Sequence, residues 1–209
     1  VQRLLKEVFM HYTLAYRKEK NCPIFIDGVI HETFVPGAYN KGMTQDWHYA
    51  DPGEPKATLP KNLVLITKDK QFEFDLRTSF EGHIVSDRFW SVIKTLNIGR
   101  WEVAKLDIVS PKGAPMEQGA YYFIRQQMSE LVPASVIDIE KSSITYRKTG
   151  EIKSVESLTL TSEATLDFFE IDETTLLDIV FLSPAAAELL NQQGLKGVEI
   201  VSTEKLGRR

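Results

Sequence analysis

Four histidines, one cysteine and a run of carboxylates are the residues in this sequence whose types could do chemistry. His11, His31, His48 and His83 are too dispersed for a linear metal motif. There is no H-x-x-x-H and no C-x-x-C, and Cys22 has no second thiol with which to hold a zinc ion. Nucleophile elbows and phosphate cradles are also missing: no G-x-S-x-G, no G-x-x-x-x-G-K and no G-x-G-x-x-G occurs. No catalytic set, metal site or cofactor motif is therefore legible. General acid/base pairs leave no linear signature. A small intracellular hydrolase-like enzyme, with His31-Glu32 and Asp46-Trp47-His48 folded around one cleft, accordingly stands as the alternative reading.

The carboxylates form the stronger signal. From Ser154 to Leu195 the chain has no Lys or Arg but eight acids, so these 42 residues carry −8 of a formal net charge of −4 and the remainder carries +4. Six of the eight, Glu163, Asp167, Glu170, Asp172, Glu173 and Asp178, fall in EATLDFFEIDETTLLD. On the bland reading they are solvated positions alternating with core residues such as Leu166, Phe168 and Phe169. On the functional reading they share a face that speeds encounter with a basic partner and repels acidic ones. Tyr39, Trp47 and Tyr49 join them as candidate partner-binding residues, because Tyr and Trp combine large apolar faces with a polar tip. The same aromatics would equally well anchor the irregular chain around them, and anchoring is the favoured reading.

The elements that must position these residues are strands, with two helices among them. Ser86 caps a helix whose Phe89, Val92, Ile93 and Leu96 make one apolar stripe, ended by Asn97 and Gly99. Ser183 caps a second, with Pro184 at its first position and Gly194 after Gln193. Extended segments are expected at 10–16, 23–30, 63–67, 72–76, 101–109, 119–126, 136–139, 144–147, 152–160, 176–182 and 197–202. The stretch 31–62 is rich in Pro, Gly and aromatics and lacks periodicity. The segments HIVSDRFWSVIKTLNIGRWEVAKLDI and VFLSPAAAELLNQQGLKGVEIVSTEKL read as a weak duplication, each a strand end, a Ser cap, a helix, a Gly stop and a returning strand. The expected class is α+β: mostly antiparallel strands with two capped helices and a long irregular N-terminal arm. Residues 10–209 are expected to form a single domain, with strand and arm over 10–62 and the main body over 63–209. Val1 to Phe9 read as a translated leader from a GTG start, with Met10 as the native first residue.

Composition narrows the function classes. At 43% hydrophobic and 26% charged the chain is of ordinary globular type. A lone cysteine favours a reducing compartment, and neither a signal peptide nor an 18-residue apolar run is present. A cytoplasmic location is expected, with no membrane contact. A net negative charge argues against direct nucleic-acid binding.

The order of segments carries a resemblance. Met10-x-Tyr12, DWHY, FEFDL, IVSDRFWSVI, YYFI and LSPAAAELLNQQGLKGVEI, in that sequence, resemble a bacterial immunity-protein family that protects cells from polymorphic toxins delivered by type VI or contact-dependent secretion. The likeness covers most of the chain from Met10 onward. It implies a non-catalytic cytoplasmic protein that binds a cognate toxin and blocks it. It carries no residue across, so the docking candidates rest on charge and aromatics alone. A basic, nuclease-like toxin is the partner such a charge pattern would suit.

Overall fold

The computed structural model describes residues 10–40, 47–48, 56–116 and 119–208; residues 1–9 and Tyr49 lie outside them. In chain order the elements are β1 (Tyr12–Tyr16), β2 (Gly28–His31), β3 (Asn62–Thr67), β4 (Leu76–Thr78), β5 (His83–Ser86), α1 (Asp87–Ile93), β6 (Glu102–Val109) and β7 (Tyr121–Arg125). Then come β8 (Val132–Pro133), β9 (Ser143–Tyr146), β10 (Ile152–Ser157), β11 (Phe168–Phe169), β12 (Ile171–Asp172), β13 (Phe181–Leu182), α2 (Pro184–Asn191) and β14 (Val198–Ser202). Six strands form one sheet in the order β2-β3-β6-β7-β5-β4, and four form another in the order β11-β13-β1-β14. Apart from the parallel β3–β6 pair and the two-residue β8–β12 pair, the strands run antiparallel. The fold is α+β, as the sequence implies.

Both helices begin where their caps require. The Ser86 hydroxyl accepts from the Phe89 N–H at 3.1 Å, and that of Ser183 from the Ala186 N–H at 3.2 Å, which satisfies one orphan donor of each first turn. Phe89 and Ile93 of α1 and Ala186, Ala187 and Leu190 of α2 are buried in one cluster with Leu14, Leu76, Val85, Ile124, Phe168 and Leu182. This core joins the two sheets through both helices. The other face of the six-stranded sheet, with Ile30, Leu63, Leu65, Ile84, Leu106 and Phe123, is closed by Trp47, Leu59, Phe72 and Phe74.

The two helical units share more than their order. Each helix links strands that lie on either side of a central antiparallel strand: β5 and β6 flank β7, and β13 and β14 flank β1. An outer strand, β4 or β11, then pairs with β5 or β13. An aspartate stands just before each outer strand, and the two make matching sets of bonds. Asp75 takes the Ser86 hydroxyl on Oδ1 (2.6 Å) and the Lys196 N–H on Oδ2 (2.7 Å), while Asp167 takes the Ser183 hydroxyl on Oδ1 (2.5 Å) and the Asn97 N–H on Oδ2 (3.1 Å). Their backbones match as well. The Asp75 N–H donates to the Lys196 carbonyl and its carbonyl accepts from Ser86, as Asp167 does with Asn97 and Ser183. Each aspartate thus fastens the cap of one helix to the chain leaving the other.

Four expected strands differ from what forms. The stretch 136–139 makes only an isolated bridge, Ile137 to Leu160, after a 3-10 turn at Ala134–Val136, and of 23–30 only Gly28 to Ile30 enter β2. Phe72 to Leu76 alternates as a strand should, yet only Leu76 enters β4. Both sides of β3 are already taken, by β2 and β6. The Glu73 and Asp75 N–H groups donate instead to the carbonyls of Asn21 (3.1 Å) and Lys196 (3.0 Å). Within 176–182 only Phe181 and Leu182 pair. Upstream, Glu173 caps a 3-10 turn at Thr174–Leu176, and Asp178 turns the chain away with φ of 64°.

Candidate protein-docking face

The acidic segment divides into outward and inward carboxylates. Glu163, Asp172 and Asp178 are exposed, and Glu173 is half-buried with its carboxylate accepting from the Thr175 N–H at 3.1 Å. Among the described residues none of these four is ion-paired. Asp167 is half-buried in the clamp between the helices. Glu170 is buried, with Oε1 2.6 Å from His83 Nε2 and its backbone N–H on the Gln126 side-chain oxygen. The fold therefore leaves four of the six predicted acids facing solvent.

The aromatic candidates serve the arm. Trp47 is 2% exposed, its ring set against Phe123 with centroids 6.2 Å apart and its carbonyl held by Arg125. Half-buried Tyr39 donates its hydroxyl to the Asp27 carboxylate and lies under the Lys68 ammonium, 4.2 Å from the ring centroid. Tyr49 lies outside the described residues. The large apolar side chains that do face solvent are others, among them Phe25 at 86%, Ile139 at 63%, Met128 at 58% and Ile24 at 49% exposure. The sequence signal for the first of these was present. Ile24 to Ile26 are bracketed by Pro23 and Asp27-Gly28, which leaves too short an apolar run for a buried strand.

A recess of about 160 Å³ opens beside the inward pair. Glu170 and Gln126 line it, with Glu81, Asp178, Met128 and Leu177 around them. Beneath lies His83, fully buried, its Nδ1 2.9 Å from the Thr78 hydroxyl across the β4–β5 hairpin. That hairpin turns through Phe80 and Glu81, at φ of 59° and 58°, and closes with the Ser79 N–H on the Gly82 carbonyl. Left-handed conformations at two consecutive non-glycine residues cost energy and persist where surrounding contacts enforce them. Here Glu81 is held by Lys56. His83 and Glu170, 87 residues apart, are the histidine–carboxylate pair that sequence reasoning missed. Burial lowers the pKa of His31 and of His48, which favours their neutral forms.

Asp178 is exposed as a residue, yet the groups packed around its carboxyl disfavour the charged form. Desolvation of its carboxyl group raises its pKa; His83 opposes this, and the Glu170 and Glu81 charges add to it. A raised folded-state pKa means that stability is lost as pH rises through it, relative to a side chain that cannot ionise. Asp178→Asn, which also tolerates the left-handed backbone, should therefore raise unfolding stability at pH 7 by about 0.5 kcal/mol, a figure discounted for solvent screening. The gain should close as pH falls below the ordinary value of 3.8. Urea melts at pH 7 and pH 3 check it; an equal gain at both would assign the effect to the backbone.

Among the described residues no group of three His, Cys, Asp or Glu is placed to hold a metal ion, and no helix is long and apolar enough to cross a membrane. No curated protein matches the sequence. The family model for Immunity protein 43 matches residues 14–208, from within β1 to the end of the described chain. With both sheets, both helices and the clamps between them inside that match, the chain belongs to the Immunity protein 43 family.

Proposed function

We propose that this chain is a non-catalytic cytoplasmic immunity protein that binds a cognate toxin, one delivered by type VI or contact-dependent secretion, and blocks it. Membership of the immunity-protein family over 14–208 is the observation that carries this reading. The surface supports a basic, nuclease-like partner. Among the described residues Glu163, Asp172, Glu173 and Asp178 have no ion pair, so their field acts on an approaching protein.

Co-expression tests the reading directly. The toxin domain encoded beside this gene should arrest growth alone and not when this chain is present, and the two should elute as a one-to-one complex. Arrest despite the chain, with no complex, overturns it. The acidic face has its own test. Glu163→Lys with Asp172→Lys should slow association about tenfold at low salt, with the difference shrinking as salt screens exposed charges. An association rate that does not change would remove this face from the interface.

A further inference from the structure

Two strand edges lie open to one cleft. In β1 the His11 carbonyl accepts from the Thr203 N–H and the Arg17 N–H donates to the Gly197 carbonyl, both at 3.0 Å. Odd-numbered residues thus turn their polar backbone groups toward β14, and Leu14 and Tyr16 turn theirs the other way. On that side β13 pairs with Tyr12 and Thr13 only. In β4 the Asp75 carbonyl accepts from Ser86 and the Ser79 N–H donates to Gly82, so Leu76 and Thr78 direct theirs away from β5, toward an edge that no strand among the described residues covers and where the Leu76 carbonyl accepts from Arg77 Nη1. A cleft of about 720 Å³ is lined by Leu14, Ala15 and Tyr16 of one strand and Leu76, Arg77 and Thr78 of the other.

Arg77 distinguishes this cleft. It is 4% exposed and, among the described residues, has no carboxylate within ion-pair distance. Its guanidinium donates to the carbonyls of Pro23 (2.7 Å), Leu76 (2.6 Å) and Gly197 (2.7 Å), while Nη2 has no hydrogen-bond partner. The rings of Tyr16 and Phe74 stack on it at 4.6 and 5.0 Å. Among the described residues the other buried arginine, Arg125, has the Glu102 carboxylate at 2.8 Å. A buried cation lacking an anion carries a desolvation penalty that a carboxylate would offset. Burial accordingly lowers the pKa of Arg77.

We propose that this cleft takes an extended segment of the toxin as an added strand, paired with the open edges of β1 and β4, with one carboxylate side chain of that segment against Arg77. The inference rests on the toxin-binding reading above and says where and how binding occurs. Natural edges are blunted by proline, lysine, a bulge, short length or an inward charge. YTLAY has no proline, lysine or bulge at its open side, whereas LRT is three residues long and carries the inward Arg77, so β1 is the principal edge and β4 the secondary one. Strand addition uses such edges, with main-chain bonds giving affinity and side-chain pockets giving selection. Asp178 and Glu199 line the cleft together with Arg77 and Lys205, a balance of charge that suits a segment of mixed character over one acidic throughout. Ile24, at its rim, and the adjoining Phe25 offer the exposed apolar anchors that interfaces concentrate.

Hydrogen exchange of the full chain, with and without the adjacently encoded toxin domain made harmless by an active-site substitution, tests this. The amides of Leu14, Tyr16, Leu76 and Thr78 should exchange at least about tenfold more slowly in the complex. Arg77→Met should weaken binding by about tenfold or more, with Arg77→Lys restoring only part, because a point charge lacks the planar fork. A complex that forms without slowing these amides overturns the proposal and leaves the toxin-binding reading standing. Full affinity in a folded Arg77→Met protein overturns the carboxylate contact. Slowed exchange of the same amides in the chain alone at raised concentration would make a second copy the occupant and overturn it too. If no complex forms at all, the toxin-binding reading fails and takes this inference with it.

Discussion

Asp75→Ala should lower the free energy of unfolding by about 3–5 kcal/mol, and Asp167→Ala by about 2–3 kcal/mol, because each leaves several donors unsatisfied at once. Asp75 is 2% exposed and receives the Ser86 hydroxyl, the Lys196 N–H and the Arg88 guanidinium. Asp167 receives the Ser183 hydroxyl and the Asn97 N–H. Loss of either also frees a cap serine that was oriented to receive the first-turn N–H, so part of the helix cap is lost with it. Asparagine should cost less than alanine at both sites, since one oxygen remains to accept while the amide NH₂ faces a donor. The reciprocal wiring adds a sharper expectation. Because each aspartate ties the start of one helix to the end of the other, the double substitution should depart from additivity by at least about 0.5 kcal/mol. Urea denaturation of the four proteins measures this, and a loss under about 1 kcal/mol for Asp75→Ala would show that water replaces the clamp.

These clamps also show what the sequence could disclose. The caps Ser86 and Ser183 and the stops Gly99 and Gly194, at φ of 67° and 58°, were legible because capping is decided within a few residues. The duplication was visible in the same local signals. Its strongest support, the paired aspartates, was not, since their partners lie on the other unit: Lys196 for Asp75 and Asn97 for Asp167. Charge patterning placed Asp167 and Glu170 with the solvent-facing acids because it reports frequency and not direction. Phe168 and Phe169 explain why alternation could not correct it. Both are fully buried, one in the helix-side core and the other in the C-terminal cluster with Val136, Leu158 and Phe181. A strand covered on both faces loses the period of two by which an inward carboxylate would be recognised. The candidate cleft was hidden for a related reason. Whether β1 has an open edge depends on how far β13 runs beside it after Asp178 turns the chain, a long-range outcome with no local marker.

Glu170→Ala should be among the most damaging single substitutions, lowering unfolding stability by about 3–5 kcal/mol. His83 belongs to β5 of the six-stranded sheet, and Glu170 lies between β11 of the four-stranded sheet and β12, so their 2.6 Å contact bolts the two sheets together beside the recess. His83 is fully buried and its Nδ1 is already engaged by Thr78, so removal of the carboxylate strips Nε2 of its 2.6 Å partner. Glu170→Gln keeps one hydrogen bond in the same volume and should lose about 1 kcal/mol. The decisive comparison is the double replacement His83→Leu with Glu170→Met. Removing both polar groups removes both desolvation penalties, so the double variant should stand within about 1 kcal/mol of the native chain, although each single change is costly. If instead the two losses simply add, the pair is not a coupled bolt, and the sheets are held by Phe168, Leu182 and Phe89 packing alone.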